Sequence, residues 1–157
     1  ARDVHPELSP PGRVCVGMSR EILVPVDGSP QARSALEFAA GEWPDAALTL
    51  LYVIDPVASG GRRGVMPTGS EAWYQNAKEQ AHDIFDDLRE AVDADRDVDE
   101  RIEVGRPART IVKVAGEGEF DHVVVGSHGR TGVSRIILGS TAENVIRRSP
   151  VPVTIVR

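Results

Sequence analysis

Ala46-Ala47-Leu48-Thr49-Leu50-Leu51-Tyr52-Val53-Ile54, bounded by Pro44 and Pro56, is the stretch that decides the fold. A strand with one face in water alternates apolar and polar residues, whereas this run is apolar almost throughout. It needs cover on both faces, which is the environment of a strand in a parallel sheet. On its amino side, Ile22 to Val26 is a second short apolar run. Ser29-Pro30 follows with the capping and first-turn residues a helix favours, and Ala32, Ala35, Leu36, Ala39 and Ala40 recur at helical spacing. One strand and helix therefore precede the deciding strand.

On the carboxyl side, Asp55 to Ser70 carries Gly60, Gly61, Gly64, Pro67 and Gly69 and exceeds an ordinary connection, so it reads as a mobile loop or lid. An amphipathic helix follows, with Trp73, Ala77, Ala81, Ile84, Leu88 and Val92 on one face. Arg101 to Val104 reads as a weak strand, Pro107 to Ala115 as a short helix ended by Gly116 and Gly118, and Asp121 to Val125 as a clear strand. A helix over Ser140 to Arg148 and a strand over Val151 to Val156 complete the order. Strict alternation predicts an α/β fold: a five-stranded parallel sheet, doubly wound, with helices on both faces. Pro150 and Pro152 put the last strand at an edge, because proline donates nothing to a ladder.

The chain has 157 residues, 41% of them hydrophobic, which is enough for one domain and one core. Residues 20–157 are expected to form it. Ala1 to Ser19 is rich in proline and glycine and lacks a period, and Met18 looks like a natural start, so residues 1–19 read as a disordered leader or an added extension. A formal net charge of −6 disfavours nucleic acid or an anionic membrane as the partner. With Cys15 as the one cysteine, no intrachain disulfide or cysteine-rich metal site can form, which fits a reducing compartment; a cytoplasmic location is the expectation. No apolar run reaches the roughly 18 residues a bilayer span requires. Lys78 and Lys113 are the only lysines, a bias that GC-rich coding and salt adaptation explain about equally.

In a doubly wound sheet the ligand lies beyond the carboxyl ends of the strands. Two segments answer to that rule: Pro25-Val26-Asp27-Gly28-Ser29 after the first strand, and the long loop Gly126 to Gly139 after the fourth. Ser140-Thr141-Ala142-Glu143 has the form of a capping box, so Ser140 is expected as N-cap, with the free amides of the first turn suited to phosphate oxygens. Gly126 and Gly129 would let the backbone approach a ribose or phosphate without a Cβ in the way. Equally, Ser140 could simply cap its helix and the glycines simply turn. On residue chemistry alone the two readings stand even.

Gly126-x-x-Gly129, nine residues, then Gly139-Ser140 is similar to the G-x2-G-x9-G-[S/T] motif of the ATP-binding subgroup of universal stress proteins. The resemblance extends to Ile22 to Ser29, to Tyr52-Val53-Ile54-Asp55 and to Ser149-Pro150-Val151-Pro152-Val153, and so runs essentially from Arg20 to Arg157. It implies the Rossmann-like, adenine nucleotide α-hydrolase-like fold of that family and ATP as ligand, with any Mg2+ or Mn2+ held by the phosphates. It further implies a site formed with Pro25 and Val26, Asp27 on the nucleoside and the Val53 backbone at the adenine edge. Gly126, Gly129, Gly139, Ser140 and Thr141 would hold ribose and phosphates. Arg130, within the loop, is added to this set as a phosphate partner, although solvated charge accounts for it when taken alone. Homodimerisation through the C-terminal edge strand is also implied, as is a regulatory role in stress response toward an unidentified protein partner.

Other chemistries find less support. His128 could serve as an acid or base, but a solvent-exposed loop histidine is the favoured account. Solvated charge accounts for Arg62, Arg63 and Arg135. No Gly-x-Ser-x-Gly elbow, no Gly-x4-Gly-Lys-[Ser/Thr] and no Gly-x-Gly-x-x-Gly after the first strand is present, and His5, His82 and His122 have no partners at zinc-ligand spacing. A slow ATP hydrolase, or an interaction module with a vestigial nucleotide site, remain the alternatives to a non-catalytic ATP-binding protein.

Overall fold

The computed structural model describes residues 20–58, 70–128 and 138–157. The elements are β1 (Glu21–Val26), α1 (Pro30–Glu42), β2 (Ala47–Ile54), α2 (Ser70–Arg89), β3 (Val98–Val104), α3 (Pro107–Ala115), β4 (His122–Gly126), α4 (Ser140–Arg148) and β5 (Val153–Val156). All strand pairings are parallel, in the order β3-β2-β1-β4-β5. The expected lid at residues 59–69 lies outside the described residues.

Alternate residues of the central strands enter two separate cores, as a sheet covered on both faces requires. Ile22, Val24, Leu48 and Leu50 pack with Leu36 of α1 and Phe85 of α2. Leu23, Leu51 and Val123 pack on the other face with Ile111 and Val114 of α3 and Val145 of α4. Leu23, Leu50, Leu51 and Phe85 are fully buried, each stabilising the fold by about 1.5–3 kcal/mol through removal from water. The deciding run is therefore buried on both sides, as its composition requires.

β3 begins at Val98, three residues before the expected Arg101. Its register with β2 runs from Leu48↔Val98 to Ile54↔Val104, and it lies at the sheet edge, where Asp99 and Glu100 face solvent without breaking the pairing. β5 is the opposite edge, as the prolines demanded, but begins at Val153, two residues after the expected Val151. The Pro152 carbonyl still accepts from the Val123 amide at 2.9 Å.

The β1–β4 ladder registers Ile22 with His122 and Leu23 with Val123 and stops there, whereas β1 and β2 stay in register from Glu21 to Val26. Pro25 contributes no N–H to continue it. The carboxyl ends of β1 and β4 part at the point where the strand order reverses, which is where an open α/β sheet leaves a crevice.

Candidate functional site at the carboxyl ends of the strands

Two chain reversals build the site. At the first, the Asp27 Oδ1 accepts from the Ser29 amide at 2.9 Å, and the Ser29 hydroxyl accepts from the Ala32 amide at 3.2 Å. These bonds turn β1 sharply into α1, with Ser29 as N-cap and Pro30 in the first turn. Asp27 is thus held at the mouth of the crevice by its own turn.

At the second reversal the Ser127 amide donates to Val156 at 2.7 Å, and the Ser127 carbonyl accepts from the Gly139 amide at 2.8 Å. The expected capping box does not form. Gly139 is the N-cap, in extended geometry with φ −63 and ψ 152, and its carbonyl accepts from the Glu143 amide at 2.9 Å. Ser140 is the first helical residue, and Glu143 pairs instead with Arg147 at 3.0 Å. The shift of the cap by one residue keeps the functional consequence: the first-turn amides of α4, from Ser140 to Ala142, have no acceptor within the helix.

Gly126 requires a different account from the one its sequence position invites. A Cβ there would lie 2.9 Å from backbone and side-chain atoms of Gln31, so its missing side chain is what lets α1 pass across β4. At Gly139 a Cβ would lie 3.1 Å from the Ser127 carbonyl oxygen and 3.5 Å from the His128 Cα, so here the absent side chain lets the helix start close against the strand end.

Between the two reversals lies a cavity of about 620 Å³. Pro25, Val26, Asp27, Val53, Gly126, Gly139, Ser140 and Thr141 all contribute to its wall. Gly129 and Arg130 lie outside the described residues. On the β2 side the wall is mainly apolar, with Leu51, Val53, Ile54, Ala77 of α2 and Ile111 of α3 beside Asp55 and Gln80; on the β4 side the polar Ser127, His128, Ser140 and Thr141 stand among Val125, Leu138 and Ala142. Among the described wall residues the formal charges are the carboxylates Asp27 and Asp55, with no lysine or arginine. An anionic group in this cavity would rest on helix amides and the helix dipole rather than on a described cation.

Ala77, Gln80 and Ile111 line the wall without having stood out in the sequence, because each follows an ordinary amphipathic pattern and only the packing of α2 and α3 turns it toward the crevice. His128 is half-buried rather than an exposed loop residue, and its Nδ1 lies 2.9 Å from the Ser127 hydroxyl.

Among the described residues the acid–base shifts of Glu21, Arg101, Glu117 and His122 all lie outside this cavity. Burial, then the carboxylates Asp97, Asp99, Asp121 and Glu119, raise Glu21 above the usual carboxylate range, while burial and Arg20 lower His122. Among the described residues no three His, Cys, Asp or Glu side chains gather as a metal-binding group, and no helix is long and apolar enough to cross a membrane.

Residues 18–157 match the model of the universal stress protein family. The universal stress protein of Methanocaldococcus jannaschii is 31% identical over 155 residues, covering 89% of this chain and 96% of its own. The universal stress protein UspA of Lactobacillus plantarum superposes with a TM-score of 0.74 at 28% identity, over 88% of this chain and 97% of that one. A universal stress protein solved in complex with cAMP matches with a TM-score of 0.57 at 28% identity, over 88% and 97% of the two chains. In sequence and in architecture alike, the chain belongs to the universal stress protein family.

Proposed function

We propose that this protein binds ATP in the cavity between β1, β2 and β4 and acts as a nucleotide-dependent regulatory protein in stress response. The observation that carries this reading is the polarity of the cavity: an apolar side at Val53 and Ile111 facing a polar side made by Ser127 and the amino end of α4. A purine suits the first and phosphates the second, and about 620 Å³ falls within the roughly 300–1,000 Å³ usual for small-molecule sites. The cAMP bound by a relative at 28% identity supports an adenine nucleotide. The match to G-x2-G-x9-G-[S/T] supports ATP within that class.

In this reading Asp27 contacts the nucleoside, the Val53 backbone meets the adenine edge, and Gly139, Ser140 and Thr141 present amides to the phosphates, joined by Gly126, Gly129 and Arg130. With no described cation in the wall, Mg2+ or Mn2+ carried by the phosphates would neutralise part of their charge. Binding rather than turnover is proposed. Denaturing freshly purified protein and identifying released nucleotide by chromatography and mass spectrometry tests this: ATP near one per chain is expected, and a nucleotide-free supernatant argues against it.

Homodimerisation is part of the same proposal. β5 ends the sheet with Val153, Thr154, Ile155 and Val156 all half-exposed, whereas the other edge, β3, carries Asp99, Glu100, Arg101 and Glu103. An uncharged edge offers pairing where a charged one resists it. Sedimentation at micromolar concentration should give twice the chain mass; a monomer would oppose the dimer.

A further inference from the structure

We propose that the outer surface of the α3–α4 layer docks an acidic segment of a partner protein. None of the residues it uses lies in the wall of the cavity, and docking there does not require bound nucleotide. α3 and α4 pack side by side on one face of the sheet, with Ile111, Val114 and Val145 turned inward. At their carboxyl ends a Cβ on Gly116 would lie 3.5 Å from Pro150. Arg106, Arg109, Lys113, Ile146, Arg147 and Arg148 are exposed on this layer.

Charge is segregated between the two helical layers. α3 and α4 carry four cations and one carboxylate, whereas α1 and α2 carry three cations and seven carboxylates. In a chain of net charge −6, the α3–α4 layer is the surface that attracts an acidic partner. The helix dipole explains Lys113, Arg147 and Arg148, each in a last turn, but disfavours Arg106 and Arg109, at the N-cap and third residue of α3. Helix stability therefore does not account for those two arginines. Arg106, Arg109, Lys113 and Arg148 form no ion pair among the described residues, whereas Arg89 and Arg101 are paired with Glu100 and Glu103. Ile146, 44% exposed beside Arg147, adds an apolar contact. An extended nucleic acid would run past this layer onto an acidic remainder and offers little to Ile146, so a peptide carrying carboxylates and an apolar side chain fits better.

The test is fluorescence anisotropy of a labelled peptide of alternating glutamates and leucines, titrated with wild type and with variants whose folding is checked by circular dichroism. Saturable binding at one site per chain is expected, weakening as NaCl rises. Arg109→Gln/Lys113→Gln should weaken it about fivefold and Ile146→Ser about threefold. Lys78→Glu on α2, which changes the net charge by the same amount as the double variant, should leave it unchanged. An equal loss in Lys78→Glu would overturn the proposal, because it would show no preference for this layer. So would tighter binding of single-stranded DNA of equal charge, or the absence of any saturable binding. If sedimentation showed a wild-type assembly that Arg109→Gln/Lys113→Gln dissolves, the occupant would be a second copy, and the acidic partner would fall.

Discussion

The Gly139 amide donates to the Ser127 carbonyl at 2.8 Å, and that bond ties the start of α4 to the end of β4. The dihedral angles of Gly139, φ −63 and ψ 152, are open to any residue, so glycine is needed there for space and not for conformation. A Cβ would stand 3.1 Å from the same carbonyl oxygen. Gly139→Val is expected to push helix and strand apart, destabilising the fold by about 1–3 kcal/mol in urea denaturation. ATP affinity should fall at least about tenfold in calorimetry, because displaced amides no longer converge on the phosphates.

Gly126 predicts a different balance. A Cβ on it would lie 2.9 Å from the Gln31 backbone of α1, a neighbour that cannot rotate away. Gly126→Ala should therefore cost about 1–3 kcal/mol of stability, more than Gly139→Ala, because α1 as a whole must shift. Thermal denaturation of the two alanine variants checks the order.

Asp27 separates its turn from its proposed ligand contact. Asn retains an oxygen to accept from the Ser29 amide, now at 2.9 Å from Oδ1, whereas Ala does not. Asp27→Ala should lower stability by about 0.5–1.5 kcal/mol, the net worth of one such hydrogen bond, and Asp27→Asn much less. Both should weaken ATP binding if the carboxylate meets the nucleoside. A calorimetric affinity for Asp27→Asn equal to wild type would remove that contact.

At the other end of the sheet, Glu21 is raised by burial and by Asp97, Asp99, Asp121 and Glu119. A carboxyl raised on folding stabilises the folded state when protonated; that contribution is complete below the ordinary carboxylate range and is lost as pH rises through the raised value. Glu21→Gln is therefore expected to be more stable than wild type at neutral pH and to converge with it in acid. Added NaCl should narrow the neutral-pH gap by screening the neighbouring carboxylates. Urea midpoints across pH and salt measure both effects.

The sheet was legible because Leu48 to Ile54 and Ile22 to Val26 carry their burial in their composition, and the helices because their apolar spacing meets those faces. The amino half of β3 was hidden because an edge strand tolerates Asp99 and Glu100, which local sequence presents as loop-forming. The cap of α4 was misplaced by one residue because Ser140 and Glu143 fit a capping box, while the bond between Gly139 and Ser127 made glycine the cap. Gly126 shows the same limit: a glycine at a strand end signals close approach without saying whether ligand or Gln31 approaches. His128 looked exposed because its partial burial arises where the end of β4 meets the start of α4, with Gly139 close to its Cα.

The central claim, ATP held between the apolar β2 side and the amino end of α4, is tested most directly by calorimetric titration of nucleotide-stripped protein with ATP. Saturable binding at one site per chain, weakened at least about tenfold in Gly139→Val, is the expected result. Heats indistinguishable from buffer dilution up to about 1 mM ATP, a concentration that reveals even weak sites, would contradict it.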